Sequence, residues 1–127
     1  MQTMDATMTV QEIANRLVEL CRQGNYTAAQ EELFSENATS KEPDNSPNPG
    51  PKLTTGRDNI IAKGKQFMAM LEEVHSGSIS DPIIAGNHFA VSLTIDATYK
   101  GMGRQEMKEV CVYEVKDGKV VSEEFFY

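Results

Sequence analysis

Apolar residues recur near the start of the chain at the spacing of one helix face. Val10, Ile13, Ala14, Leu17, Val18 and Cys21 share a side, Thr9 and Glu12 stand at capping-box spacing, and Gly24 supplies a stop. A shorter helical segment, YTAAQEELF, places Tyr26, Ala29, Leu33 and Phe34 on one side, and SENATS breaks it. The N-terminus therefore reads as a helical hairpin. Four of the five prolines fall in PDNSPNPGP, residues 43 to 51, a composition that resists regular structure and marks a loop over 43–56. A third helix is expected after it, with Thr55 and Asp58 at capping-box spacing. Its buried stripe would be Ile60, Ile61, Gly64, Phe67, Met68, Leu71 and Val74.

Beyond His75 the period changes from helical to alternating. SGSISDPIIAG predicts a strand interrupted near Asp81-Pro82, and Gly86-Asn87 turns the chain into the next strand. In HFAVSLTIDATYK, Phe89, Val91, Leu93, Ile95, Ala97 and Tyr99 alternate with polar or small residues, so one face must pack on helices. MKEVCVYEV and KVVSEEFFY are two further strands, joined through Lys116-Asp117-Gly118 as a hairpin.

A chain of 127 residues fits one domain, 1–127, with residues 1–8 as a flexible N-terminus and the proline-rich loop inside the domain. Its formal charge of −7 leaves no basic patch for a run of phosphates, which argues against nucleic acid and anionic membranes as partners. The start MQTMDATMTV lacks the basic and apolar regions of a signal peptide, so a cytoplasmic location is expected. Cys21 and Cys111 read as small hydrophobes rather than a disulfide, and no zinc-type spacing links them to His75 or His88. No metal and no cofactor is implied.

The order helix, helix, loop, helix, then antiparallel strands is an α+β layout. Together with "GNYTAAQEELFSENATSKEP" and "VYEVKDGKVVSEEFF", it resembles the nuclear transport factor 2-like superfamily in its SnoaL-like branch, over residues 9 to 127. The resemblance implies a cystatin-like cone, with three N-terminal helices packed on a strongly curved, mostly antiparallel sheet and a pocket at the open end. It also implies a homodimer through the outer sheet face, where Ser92, Thr94 and Asp96 point. Ketosteroid isomerases, polyketide cyclases, dehydratases and non-catalytic binding modules share this superfamily, so fold alone does not decide function.

Strand parity nominates the pocket lining. If Val91, Leu93, Ile95 and Ala97 face the concave side, the closing hairpin contributes Glu109, Cys111, Tyr113 and Val115 from one strand and Val121, Glu123, Phe125 and Tyr127 from the other. A one-residue bulge near Gly118 would instead turn Glu124 and Phe126 inward. Glu109 and Glu123 stand out among apolar neighbours. Burial would raise their pKa toward the range useful for proton transfer, whereas at the rim they would be solvated or paired with Lys108, Arg104 or Lys119.

Glu42 is a third candidate, because ATSKEP resembles the ketosteroid isomerase segment in which an acid before proline is the proton-moving base. By the same resemblance, the first-helix tyrosine position falls on Leu17 and the protonated aspartate position on Cys111. The oxyanion donors are thus absent, which argues against a true steroid isomerase. Tyr113, Tyr127 or Tyr99 could compensate or serve as aromatic wall, and His75 could reach the cone or stay on the surface. The candidate ligand-binding set is Leu17, Leu93, Ile95, Cys111, Tyr113, Phe125, Tyr127 and His75. Two functions fit: cofactor-independent acid–base chemistry of the isomerase, cyclase or dehydratase type on a small, largely apolar carbonyl compound, or a non-catalytic small-molecule-binding or dimerisation module.

Overall fold

The computed structural model of the chain describes residues 7–47 and 50–127. Two helices, α1 (Val10–Arg22) and α2 (Tyr26–Leu33), precede strands β1 (Phe34–Lys41) and β2 (Leu53–Thr55). Helix α3 (Arg57–Ala69) follows, then β3 (Leu71–Ile79), β4 (Ile83–Ala85), β5 (His88–Tyr99), β6 (Gly103–Lys116) and β7 (Lys119–Phe126). The seven strands form one sheet in the order β2-β1-β7-β6-β5-β3, with β4 paired to β5 beside β3. Every pairing is antiparallel except β1 with β7. The helices cover the concave face of this sheet, which is the expected α+β architecture.

Helix α1 forms as its pattern predicts. Thr9 and Glu12 make a reciprocal capping box, and Ile13, Ala14, Leu17, Val18 and Leu20 are buried. They meet Phe34, Phe89 and Tyr113 from the sheet. The Phe89 and Tyr113 rings stack at 4.8 Å between centroids, and Phe34 meets Tyr113 edge-on at 6.4 Å. This cluster closes the narrow end of the cone. Met8 packs partly buried against it; of the segment expected to be flexible, residues 1–6 lie outside the described residues.

Three expectations are corrected. The SENATS stretch is strand β1, not a helix break in a loop, because its pairing with β7 overrides weak local β-propensity and buries Ala38 and Ser40. The proline-rich loop is shorter than 43–56, since Leu53–Thr55 adds an edge strand to β1. Helix α3 ends at Ala69, and Leu71 and Val74 belong to β3. Of its expected stripe only Ile60 is fully buried, while Met68 and Val74 are exposed. Gly56 caps this helix at φ 96, a conformation open to glycine, and the Thr55–Asp58 capping box does not form.

The closing hairpin decides which glutamates face inward. Asp117 and Gly118 both have positive φ and form a two-residue turn between Lys116 and Lys119. Strict pairing from that turn would set Tyr113 opposite Ser122 and send Glu123 outward. Instead Val115 pairs with Val120 and Glu114 with Ser122, so Val121 is an extra residue, a bulge. Val120 rather than Val121 therefore faces the core, a correction to the expected set. Glu123 and Phe125 turn inward beyond the bulge, as expected.

Candidate functional site

Above the packed narrow end, the concave face opens into a cavity of about 630 Å³. Cross-strand register builds its wall in rows. Ser40, Glu123, Tyr113 and Phe89 form the deepest row; Phe125, Cys111 and Val91 form the next; Glu109 pairs with Leu93 above them. Helix α3 covers the opposite side with Ile60, Lys63, Gly64 and Phe67. That is why its stripe is only partly buried: it faces the cavity more than it faces packed protein.

The three candidate glutamates all line this cavity but differ in environment. Glu123 is 4% exposed, and its Oε2 has no hydrogen-bond partner among the described residues. Burial pushes its pKa up to about 7, against the stabilising Ser40 hydroxyl and the Lys63 charge, and the charges of Glu42 and Glu109 push the same way as burial. Glu109 also rises to about 7, chiefly through burial; the Cys111 thiol, which donates to its Oε1 at 3.6 Å, and Lys63 act in opposition. The expected rim pairing of these two glutamates with Lys108, Arg104 or Lys119 is not found. Arg104 pairs with Asp96, Lys108 with Glu106, and the Lys119 ammonium donates to the Glu32 carbonyl.

Glu42 is engaged rather than free. Its Oε2 lies 3.1 Å from Lys63 Nζ, and its Oε1 accepts the Tyr127 hydroxyl at 2.6 Å. Tyr127 in turn bonds Ser46 at 2.6 Å, tying the C-terminus to the proline-rich loop. Burial and the bond to Glu42 push the Tyr127 hydroxyl up to about 12. Lys63 also donates to Ser40 Oγ at 2.8 Å and sits 5.4 Å from the centroid of the Phe125 ring.

Of the expected ligand-binding set, Leu17, Leu93, Ile95, Cys111, Tyr113, Phe125 and Tyr127 line the cavity. His75 is not among the lining residues. It is the extra residue of a bulge in β3, and its Nε2 lies 2.7 Å from Thr98 Oγ1. Tyr99 also stays outside the lining, and burial raises the Cys111 thiol well above its ordinary range, so no thiolate forms there. Among the described residues, no group of three or more His, Cys, Asp or Glu side chains is arranged to hold a metal ion.

Sequence reading missed Lys63, Ser40 and Thr54. Lys63 interrupts an apolar stripe between Ile60 and Phe67, which was the available signal; Ser40 was hidden in SENATS, read only as a helix break, and Thr54 in the proline-rich loop over 43–56. Thr54 Oγ1 and Glu123 Oε2 are the buried side-chain polar atoms without partners among the described residues, and both residues line the cavity. Buried polar atoms are almost always paired, so two such atoms on residues of one cavity set its lining apart from the rest of the core.

Curved sheet, three helices and open cavity define a cystatin-like, nuclear transport factor 2-like cone, and solved structures agree. A protein from Xanthomonas campestris with a cystatin-like fold superposes with a TM-score of 0.75 at 18% identity, over 94% of this chain and 90% of that one. A nuclear transport factor 2-like protein from Burkholderia thailandensis gives 0.79 at 18% identity, over the same shares. The family model for the SnoaL-like domain matches residues 8–127, and the chain belongs to that family. A Mesorhizobium loti protein labelled both a SnoaL-like polyketide cyclase and a carbohydrate phosphatase is 34% identical, with a TM-score of 0.82 over 94% of this chain and 100% of that one. No curated protein matches the sequence. Among the described residues, no helix is long and apolar enough to cross a membrane.

Proposed function

We propose that the cone binds a small, largely apolar carbonyl compound and moves a proton beside that carbonyl. The observation that carries this reading is Glu123: a carboxyl group at the bottom of the cavity, buried, with one oxygen unused by the protein. With its pKa near 7, it can both take and return a proton at neutral pH. Glu123 takes a proton from the carbon next to the carbonyl, and the electron pair of the C–H bond moves onto oxygen as an enolate. Lys63, held by Ser40 and Glu42, supplies the positive charge that stabilises it. Return of the proton to a second carbon completes an isomerisation that balances on the substrate alone. Glu42, the base expected from the resemblance, positions Lys63 in this scheme.

The test is proton exchange into deuterium oxide, followed by NMR, for a panel of small enolisable ketones. The wild type should accelerate exchange, and Glu123→Gln should reduce the rate by about 10²–10⁴-fold. Equal exchange by the two proteins would remove Glu123 from the mechanism. A second reading, a non-catalytic binding module, is favoured by Leu17 and Cys111 standing where a ketosteroid isomerase carries its oxyanion donors. It predicts ketone binding without exchange.

A further inference from the structure

Five charged side chains line the cavity: Glu42, Glu109 and Glu123 against Lys52 and Lys63. Both lysines are committed. Lys63 is bonded to Glu42 and Ser40, and Lys52 donates to the Ser46 carbonyl oxygen at 2.8 Å. Neither Glu109 nor Glu123 has an ion-pair partner among the described residues. An anionic ligand would therefore meet more negative than available positive charge. A cationic one would meet the reverse.

Aromatic residues from the helices and the sheet line the same cavity. Tyr26, Phe67 and Tyr127 line the cavity, and the Glu109 charge is near enough to raise the hydroxyl pKa of Tyr26 and Tyr127. A carboxylate without an ion-pair partner, in a cavity lined by aromatic residues, suits an organic ammonium group: ring quadrupoles attract positive charge and the carboxylate supplies the counter-charge. Glu123, 4% exposed and with an Oε2 that has no partner among the described residues, lines the same cavity two rows deeper.

We propose that the ligand carries an organic ammonium group, seated at Glu109 in the cavity that Tyr26, Phe67 and Tyr127 also line. This inference rests on the reading of the cone as a small-molecule site and narrows its substrate to amino-carbonyl compounds. The carbonyl end lies at Lys63 and the ammonium at Glu109, two rows nearer the mouth than Glu123.

Calorimetric titration of the full chain with benzyltrimethylammonium, benzyl alcohol and phenylacetate tests it. The cation should bind about tenfold tighter than the alcohol, and phenylacetate weakest of the three. Glu109→Gln should remove the preference for the cation over the alcohol. Affinity for the cation, not for the alcohol, should also rise with pH through about 7 as Glu109 ionises, with Glu42, Glu123, Lys63 and Cys111 as the other titratable groups around it. This profile in the wild type decides the matter if the variant fails to fold; a flat profile overturns the inference. If the alcohol binds as well as the cation, or if the preference survives Glu109→Gln, the ammonium site is overturned and the cone stands as a binding site. If none of the three probes binds, both readings fall.

Discussion

The two ends of the cone are built on the same strands yet obey opposite rules. At the narrow end, β5, β6 and α1 contribute Phe89, Tyr113, Ile13 and Leu17 to a closely packed cluster. A few residues further along β6 and β7, the same inward parity delivers Glu109 and Glu123 to an open cavity. One end gains stability by burying apolar surface, and the other spends some of it by burying ionisable groups. A single alternating pattern serves both, because the strand determines only which face a residue occupies and the helices determine whether that face is filled.

Breaking the packed end should cost most. Phe89→Ala removes a fully buried ring that stacks on Tyr113, and a loss of about 3–5 kcal/mol of unfolding free energy is expected in urea denaturation. A loss under about 1 kcal/mol would mean that the narrow end is not the structural anchor.

The open end should show the reverse trend with pH. Glu123 has its folded pKa raised to about 7 from an unfolded value of roughly 4.3, so the folded state binds more protons between the two. Its contribution is fully present below the unfolded value and is lost as pH rises through about 7, by an amount on the order of 3 kcal/mol. Glu109 acts in the same direction. Urea denaturation at pH 5 and pH 8 should therefore find the wild type weaker at pH 8, and Glu123→Gln should reduce the difference. A wild type that gains stability over this interval would contradict the buried-acid description.

The smallest of the three effects concerns charge alone. Lys63→Met keeps the length of the side chain but removes the charge that lowers both glutamates. Carboxyl-carbon NMR should show Glu109 and Glu123 titrating higher than in the wild type with little change in the fold. Unmoved titrations would mean that the ammonium is not coupled to them.

Much of this was legible from the chain. Helix α1, strand β5 and the closing hairpin carry strong local signals, and in each the pattern and the packing agree. Their order gave an α+β layout, and the resemblance to the nuclear transport factor 2-like superfamily implied the cone. Strand β1 was not legible, because FSENATSK has little strand propensity and forms through parallel pairing with a segment some eighty positions away. Helix α3 was overextended because Leu71 and Val74 happen to continue its spacing into β3. At the site, the positions of Glu42, Glu109 and Glu123 on the cavity were legible, the first by resemblance and the others by parity. Lys63 and Ser40 were not, since their roles depend on how α3 and β1 meet across the cone.

Val121 gives the hairpin one further property. A strand has only two phases, and the extra residue shifts β7 from one to the other before the chain reaches Glu123. Deleting Val121 would only remove the bulge and keep Glu123 opposite Tyr113, whereas pairing Val121 with Glu114 at constant length would exchange Glu123 and Phe125 for Ser122, Glu124 and Phe126 on the wall. A one-residue slip of β7 against β6 would thus retune this cavity more thoroughly than most substitutions within it. Strand register beside this tight turn acts as the coarse control on which side chains reach the cavity, and side-chain replacements act as the fine one.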